Sequence, residues 1–146
     1  MEQFKWTFEK ENLGTKDGEI IELDPTVYHC QFALTLKALG MFEEEYGKPL
    51  MNVVFGGSGN DIDDQNTELG SPEFIRALAC STYIKIDNNQ VYQNEATRDE
   101  FKNLEIYQSC ANDLMFIGEL VKAATKAIVE KVKNNLNEEG TPKRKN

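Results

Sequence analysis

Phe4, Trp6 and Phe8 alternate with Lys5, Thr7 and Glu9, and this period of two demands a strand with one buried face from the first residues onward. A chain that opens this way must supply a partner strand and a layer to cover the apolar face. The turn-rich connection Asn12-Leu13-Gly14-Thr15-Lys16-Asp17-Gly18, followed by Glu19-Ile20-Ile21-Glu22-Leu23, predicts a hairpin whose returning strand is broken at Asp24-Pro25. Val27 to Phe32 reads either as a third strand or as an early helical turn, since Val27, Tyr28, Cys30 and Phe32 suit both.

From about Ala33 the period becomes helical. Leu34, Ala38, Met41 or Phe42 and Glu45 fall on successive turns, and Gly47 is placed to stop the helix near Tyr46. Pro49 fits the first position of a short helix over Leu50–Phe55, because that position does not use its amide. Residues 56–70, opening with Gly56-Gly57-Ser58-Gly59 and continuing polar and acidic, predict a flexible linker. Ser71-Pro72-Glu73 then starts a helix whose apolar face is Phe74 or Ile75, Leu78, Ala79, Thr82, Tyr83 and Ile86, with Asp87-Asn88-Asn89 ending it. Thr97 and Glu100 form a capping pair for a helix carrying Phe101, Leu104 and Tyr107.

The longest periodic segment is the last. With Asn112 as its cap, Leu114, Ile117, Val121, Ala124, Ile128 and Val132 make one apolar stripe running to Asn134-Asn135. Two uses of it stay open: packing on the domain's own core, or meeting a partner helix. Gly118 and Ala123-Ala124-Thr125 permit close approach in both. The predicted architecture is α+β, a small amino-terminal hairpin or three-stranded sheet followed by four to five mainly antiparallel helices, the last one long. It forms a single globular domain over 1–136, with a mobile tail at 137–146.

Chemistry-bearing residues are sparse. The chain has one histidine, His29, and three scattered cysteines, Cys30, Cys80 and Cys110, with no CxxC pair; the cysteines read as reduced structural thiols. His29 and Cys30 are neighbours on a predicted strand, so they point to opposite faces, and His29 reads as a buried histidine. Asp61, Asp63 and Asp64 are spaced like calcium-loop ligands, but the loop's sixth glycine and twelfth glutamate are here Asn66 and Pro72. The glycine-rich run is not followed by Gly-Lys-Ser/Thr, so it builds no phosphate loop. Glu43-Glu44-Glu45 reads as a solvated face with no basic partner nearby in sequence. Neither a metal nor a cofactor is expected.

The formal charge of −9 opposes nucleic acid phosphates, and only the end, Lys143-Arg144-Lys145, runs against it. No apolar run approaches the roughly 20 residues that span a bilayer, and Met1-Glu2-Gln3 lacks the start of a secretion signal. These features predict a cytoplasmic protein that binds other proteins and neither nucleic acid nor membrane. A small regulatory or antitoxin-like binding module would show the same composition.

The order of parts adds a resemblance. A hairpin, a helix ending Phe42-Glu43-Glu44-Glu45-Tyr46-Gly47-Lys48-Pro49-Leu50-Met51, the helix start Ser71-Pro72-Glu73-Phe74-Ile75, and Leu104-Glu105 leading to Asn112-Asp113-Leu114-Met115 together resemble the tail assembly chaperones of long-tailed bacteriophages and their prophages. The resemblance implies a non-enzymatic factor of the infected bacterial cytoplasm, absent from the mature virion. Such a factor binds the tape measure protein, keeps it soluble, recruits tail tube protein, and has some capacity to self-associate.

Overall fold

The computed structural model describes residues 1–55 and 68–140, with side chains as far as Asn134. Most of the predicted linker, with Asp61, Asp63 and Asp64, lies outside those residues. At its end, Glu68 and Leu69 are helical, and Leu69 packs on the core.

The predicted hairpin is present and longer than its sequence signals. Strands β1 (Glu2–Lys16) and β2 (Glu19–Leu34) pair antiparallel around Asp17-Gly18, whose φ values of 53° and 81° fit a type I′ turn. Asp24-Pro25 does not break the returning strand. The register steps from Lys10 opposite Thr26 to Asn12 opposite Leu23, so the proline sits in a bulge where no ladder donor is demanded of it. The Asn12 side-chain amide patches the bulge, donating to the Asp24 carbonyl at 2.8 Å and to Thr26 Oγ1 at 2.9 Å. Val27 to Phe32 is accordingly the second half of β2, neither a separate strand nor a helical turn.

Helix α1 (Leu36–Tyr46) starts at Thr35, whose Oγ1 accepts from the Ala38 amide at 3.0 Å, and ends on Gly47 at φ 90°. Helix α2 (Leu50–Phe55) follows, with Pro49 one residue ahead of its expected place, its carbonyl accepting the first amide bonds. Helix α3 (Pro72–Thr82) has the predicted serine cap, with Ser71 Oγ accepting from the Phe74 amide at 3.2 Å. It stops sooner than expected. Tyr83–Asp87 is strand β3, paired to β2 through Ile84 opposite Gln31 and Tyr83 opposite Phe32, and it turns through Asn88-Asn89 into β4 (Gln90–Tyr92). Both asparagines have positive φ, 52° and 66°, again suiting a type I′ turn, so the polar pair marks a hairpin and not a helix end. The sheet is antiparallel throughout, in the order β1-β2-β3-β4, one strand more than predicted.

Helix α4 (Glu95–Lys102) is capped by Asn94, which accepts from the Thr97 amide at 3.0 Å while Thr97 Oγ1 accepts from the Asn94 amide at 2.8 Å. Thr97 is therefore the inner half of the capping pair, and Glu100 is released to bind Lys85 at 2.8 Å. The short α5 (Ile106–Ser109) and a 3₁₀ turn (Cys110–Asn112) lead into α6 (Leu114–Gly140). Its cap is Asp113, one residue beyond the expected Asn112, with Oδ1 accepting from the Phe116 amide at 3.0 Å. The helix passes Asn134-Asn135, so 137–140, expected as tail, is helical, whereas 141–146 lies outside the described residues.

Among the described residues, six helices surround a core centred on aromatic rings. Phe32 has its ring centroid 5.2 Å from Phe4, 5.3 Å from Phe116 and 5.8 Å from Phe101, and Phe8 meets Phe116 edge-on at 4.8 Å. Pairs of this kind add about 0.5–1.5 kcal/mol each beyond area burial. Phe74, Ile75, Leu78 and Ala79 of α3 are fully buried among them. The alternation that opens the sequence is what faces this cluster.

Candidate protein-binding surfaces

The six stripe residues of α6 are placed in three different environments. Leu114 is 80% exposed, Ile117, Val121 and Val132 are half-buried, and Ala124 and Ile128 are buried. The face that enters the core is Phe116, Leu120, Ala123, Ala124 and Ile128, rotated from the predicted stripe. Phe116 was the signal to read, since the largest side chain of the segment follows the covered face.

The reactive groups are separated or muted. His29 is exposed, contrary to the buried position expected, because no element among the described residues covers that face of β2; Thr7 Oγ1 lies 3.2 Å from its Nδ1. Cys30 is on the opposite face and buried, which pushes its thiol up to about 11. Burial likewise raises Cys80 and Cys110 to about 12, so all three are neutral at pH 7. Among the described residues, no group of three or more His, Cys, Asp or Glu side chains is placed to hold a metal ion, and no helix is long and apolar enough to cross a membrane.

The acidic run of α1 has basic partners that sequence proximity hid. Arg98 Nη1 lies 3.3 Å from Glu44, and Lys102 Nζ lies 2.8 Å from Glu45, so α4 is clasped to α1 by residues more than fifty positions apart. Its hydrogen bond to Glu45 also raises the Lys102 pKa.

Several apolar surfaces are open to a partner. A groove runs between the start of β1, the first turns of α1 and the outer part of α6, lined by Met1, Leu36, Leu39 and Ala127 with Lys37 and Lys131 at its rim. Met1 and Leu36 are 75% and 73% exposed. Leu36 and Leu39 also face a second hollow beyond α1, with Pro49, Met51 and Ile128. The two hollows share Leu36, Leu39 and Lys131, so they adjoin one another where α1 meets α6. The paired Ile86 and Val91 of the β3–β4 hairpin add a small exposed patch.

The fourth surface is the far half of the β1–β2 hairpin. The last hairpin residues packed on the core are Phe8 and Tyr28, and Lys10 makes the outermost ion pair to the body, 2.8 Å from Glu105. Among the described residues, 11 to 26 form hydrogen bonds only within the hairpin. From Lys10 to the turn, seven residues at roughly 3.4 Å each give an arm of about 24 Å.

Comparison with known protein families, with curated proteins and with solved structures gives no match.

Proposed function

We propose that the chain is a non-enzymatic tail assembly chaperone of the long-tailed phage type, which binds the tape measure protein and recruits tail tube subunits in the host cytoplasm. The observation that carries this reading is the pair of adjoining apolar hollows where α1 meets α6. Grooves of this kind receive the apolar face of a partner helix, and burying side chains the size of Met1 and Leu36 supplies about 1.5–3 kcal/mol each. The resemblance noted in the sequence names the partner, and a chain of net charge −9 suits a protein that keeps apolar helices from aggregating.

Co-expression tests it. A fragment of the tape measure protein encoded beside this chain is expected in the soluble fraction with the chain and in the pellet without it, and the complex is expected to retain tail tube subunits on a column. A fragment equally insoluble in both cases rejects the chaperone and leaves the regulatory binding module.

A further inference from the structure

The projecting arm has two unlike faces. Register and alternation put Ile21 and Leu23 on the side continuous with the core face, where the Leu23 side chain lies across Gly14 so closely that a Cβ there would come within 3.1 Å of its Cδ1. Lys10, Lys16 and Glu19 share that side. The outer side carries Val27, Leu13 and Ile20, and its charged neighbours beyond Thr7 and His29 are Glu9, Glu11 and Glu22, with no lysine or arginine. Leu13 is 57% and Ile20 75% exposed. Among the described residues no core contact explains these side chains, and a two-stranded ribbon standing alone is marginally stable in water.

We propose that the outer face of this arm docks an amphipathic helix whose apolar stripe is edged by lysine or arginine. The apolar residues form the centre of the contact and the three glutamates its rim, where opposite charge steers encounter and fixes orientation. A second copy of this chain fits poorly, because the same three carboxylates would face each other across a two-fold axis. The inference rests on the chaperone reading for the kind of partner and adds to it the surface and the charge that partner must bear.

Two synthetic amphipathic helix peptides, one of leucine and lysine and one of leucine and glutamate, test the charge. The protein is expected to bind the lysine peptide, at least tenfold more weakly when salt rises from about 0.05 to about 0.5 M, and to ignore the glutamate peptide. Leu13→Ser/Ile20→Ser, which leaves the net charge unchanged, is expected to weaken binding at least tenfold. A shortened hairpin, with Asn-Gly joining Lys10 to Thr26, serves as a second variant that spares the core. Equal binding of both peptides, unchanged affinity in the variants, or an arm-dependent dimer of the protein overturns the proposal. If the shortened hairpin still keeps the tape measure fragment soluble, the arm proposal falls and the chaperone stands. If the intact protein fails to solubilise the fragment while the peptide results hold, the chaperone falls and the arm stands.

Discussion

Trp6 and Asp113, 107 positions apart, are joined by a hydrogen bond from the indole Nε1–H to Oδ2 at 3.2 Å, while the other carboxylate oxygen of Asp113 caps α6. One side chain thereby fixes both where the long helix starts and how it lies against the first strand. The cap also places Phe116, two residues into the helix, against Phe4, Trp6 and Phe8.

Asp113→Ala is therefore expected to destabilise the fold by about 1–2 kcal/mol, the usual cost of losing a cap, and to shift the emission of Trp6, the single tryptophan. Asp113→Asn keeps a capping oxygen and is expected to retain most of that stability. Urea unfolding of the two variants, followed by tryptophan fluorescence, separates the cap from the charge.

Gln93 is a second joint between distant segments. Its amide nitrogen donates to the carbonyls of Ala33 at 2.9 Å and Thr82 at 3.0 Å, and its oxygen accepts from Thr35, the cap of α1. The ends of β2 and α3 and the start of α1 thus meet on one side chain. Gln93→Leu leaves those carbonyls without their donor, and a loss of about 1–3 kcal/mol is expected from the desolvation of unpaired buried groups. Thermal unfolding measures it, with Gln93→Glu as the control that keeps the shape but removes the donor.

What the sequence made legible was local. The alternation at Phe4, Trp6 and Phe8, Gly47 in its left-handed stop and the Ser71-Pro72 start each depend on residues a few positions apart, and each is found where expected. Tyr83 and Ile86 satisfied the helical period by coincidence, since a three-residue spacing cannot distinguish a helix end from a strand closed by Asn88-Asn89. Asp24-Pro25 punctuates the strand pattern when taken locally, but a bulge formed with the help of Asn12 carries the proline within β2. The candidate surface was the least legible part. Which of Leu114, Ile117, Val121, Ala124, Ile128 and Val132 is free depends on how α6 is rotated, and that is set by Asp113 and Phe116 acting over long range.

Acid titration should expose the contact that holds Glu68 to the end of α1. Hydrogen bonds from Lys48 at 2.7 Å and from the Tyr46 hydroxyl at 2.9 Å lower the Glu68 pKa below its ordinary 4.5, the lysine contributing most. A group with a depressed folded pKa stabilises the fold above its ordinary value and loses that contribution as pH falls through the folded one. Lys48→Met is thus expected to be less stable than the parent at pH 7, with the gap closing as pH drops below 4.5. Unfolding curves at a series of pH values check the sign, and a gap that widens toward acid contradicts it.

The α6 stripe gives the sharpest contrast between stability and binding. Ile128 is 1% exposed and part of the core, so Ile128→Ala is expected to cost about 2–5 kcal/mol through lost burial and the cavity it leaves. Leu114, eight-tenths exposed, has almost nothing to lose, and Leu114→Ser is expected to stay within about 0.5 kcal/mol of the parent. Besides the groove beside α1, which Ala127 and Lys131 help to line, α6 offers a partner its exposed first turn, Leu114 and Met115. Leu114→Ser should then reduce retention of the tape measure fragment with the unfolding midpoint unmoved, while Ile128→Ala should lower both together. Full retention by Leu114→Ser would confine capture to the hollows beside α1 and the arm.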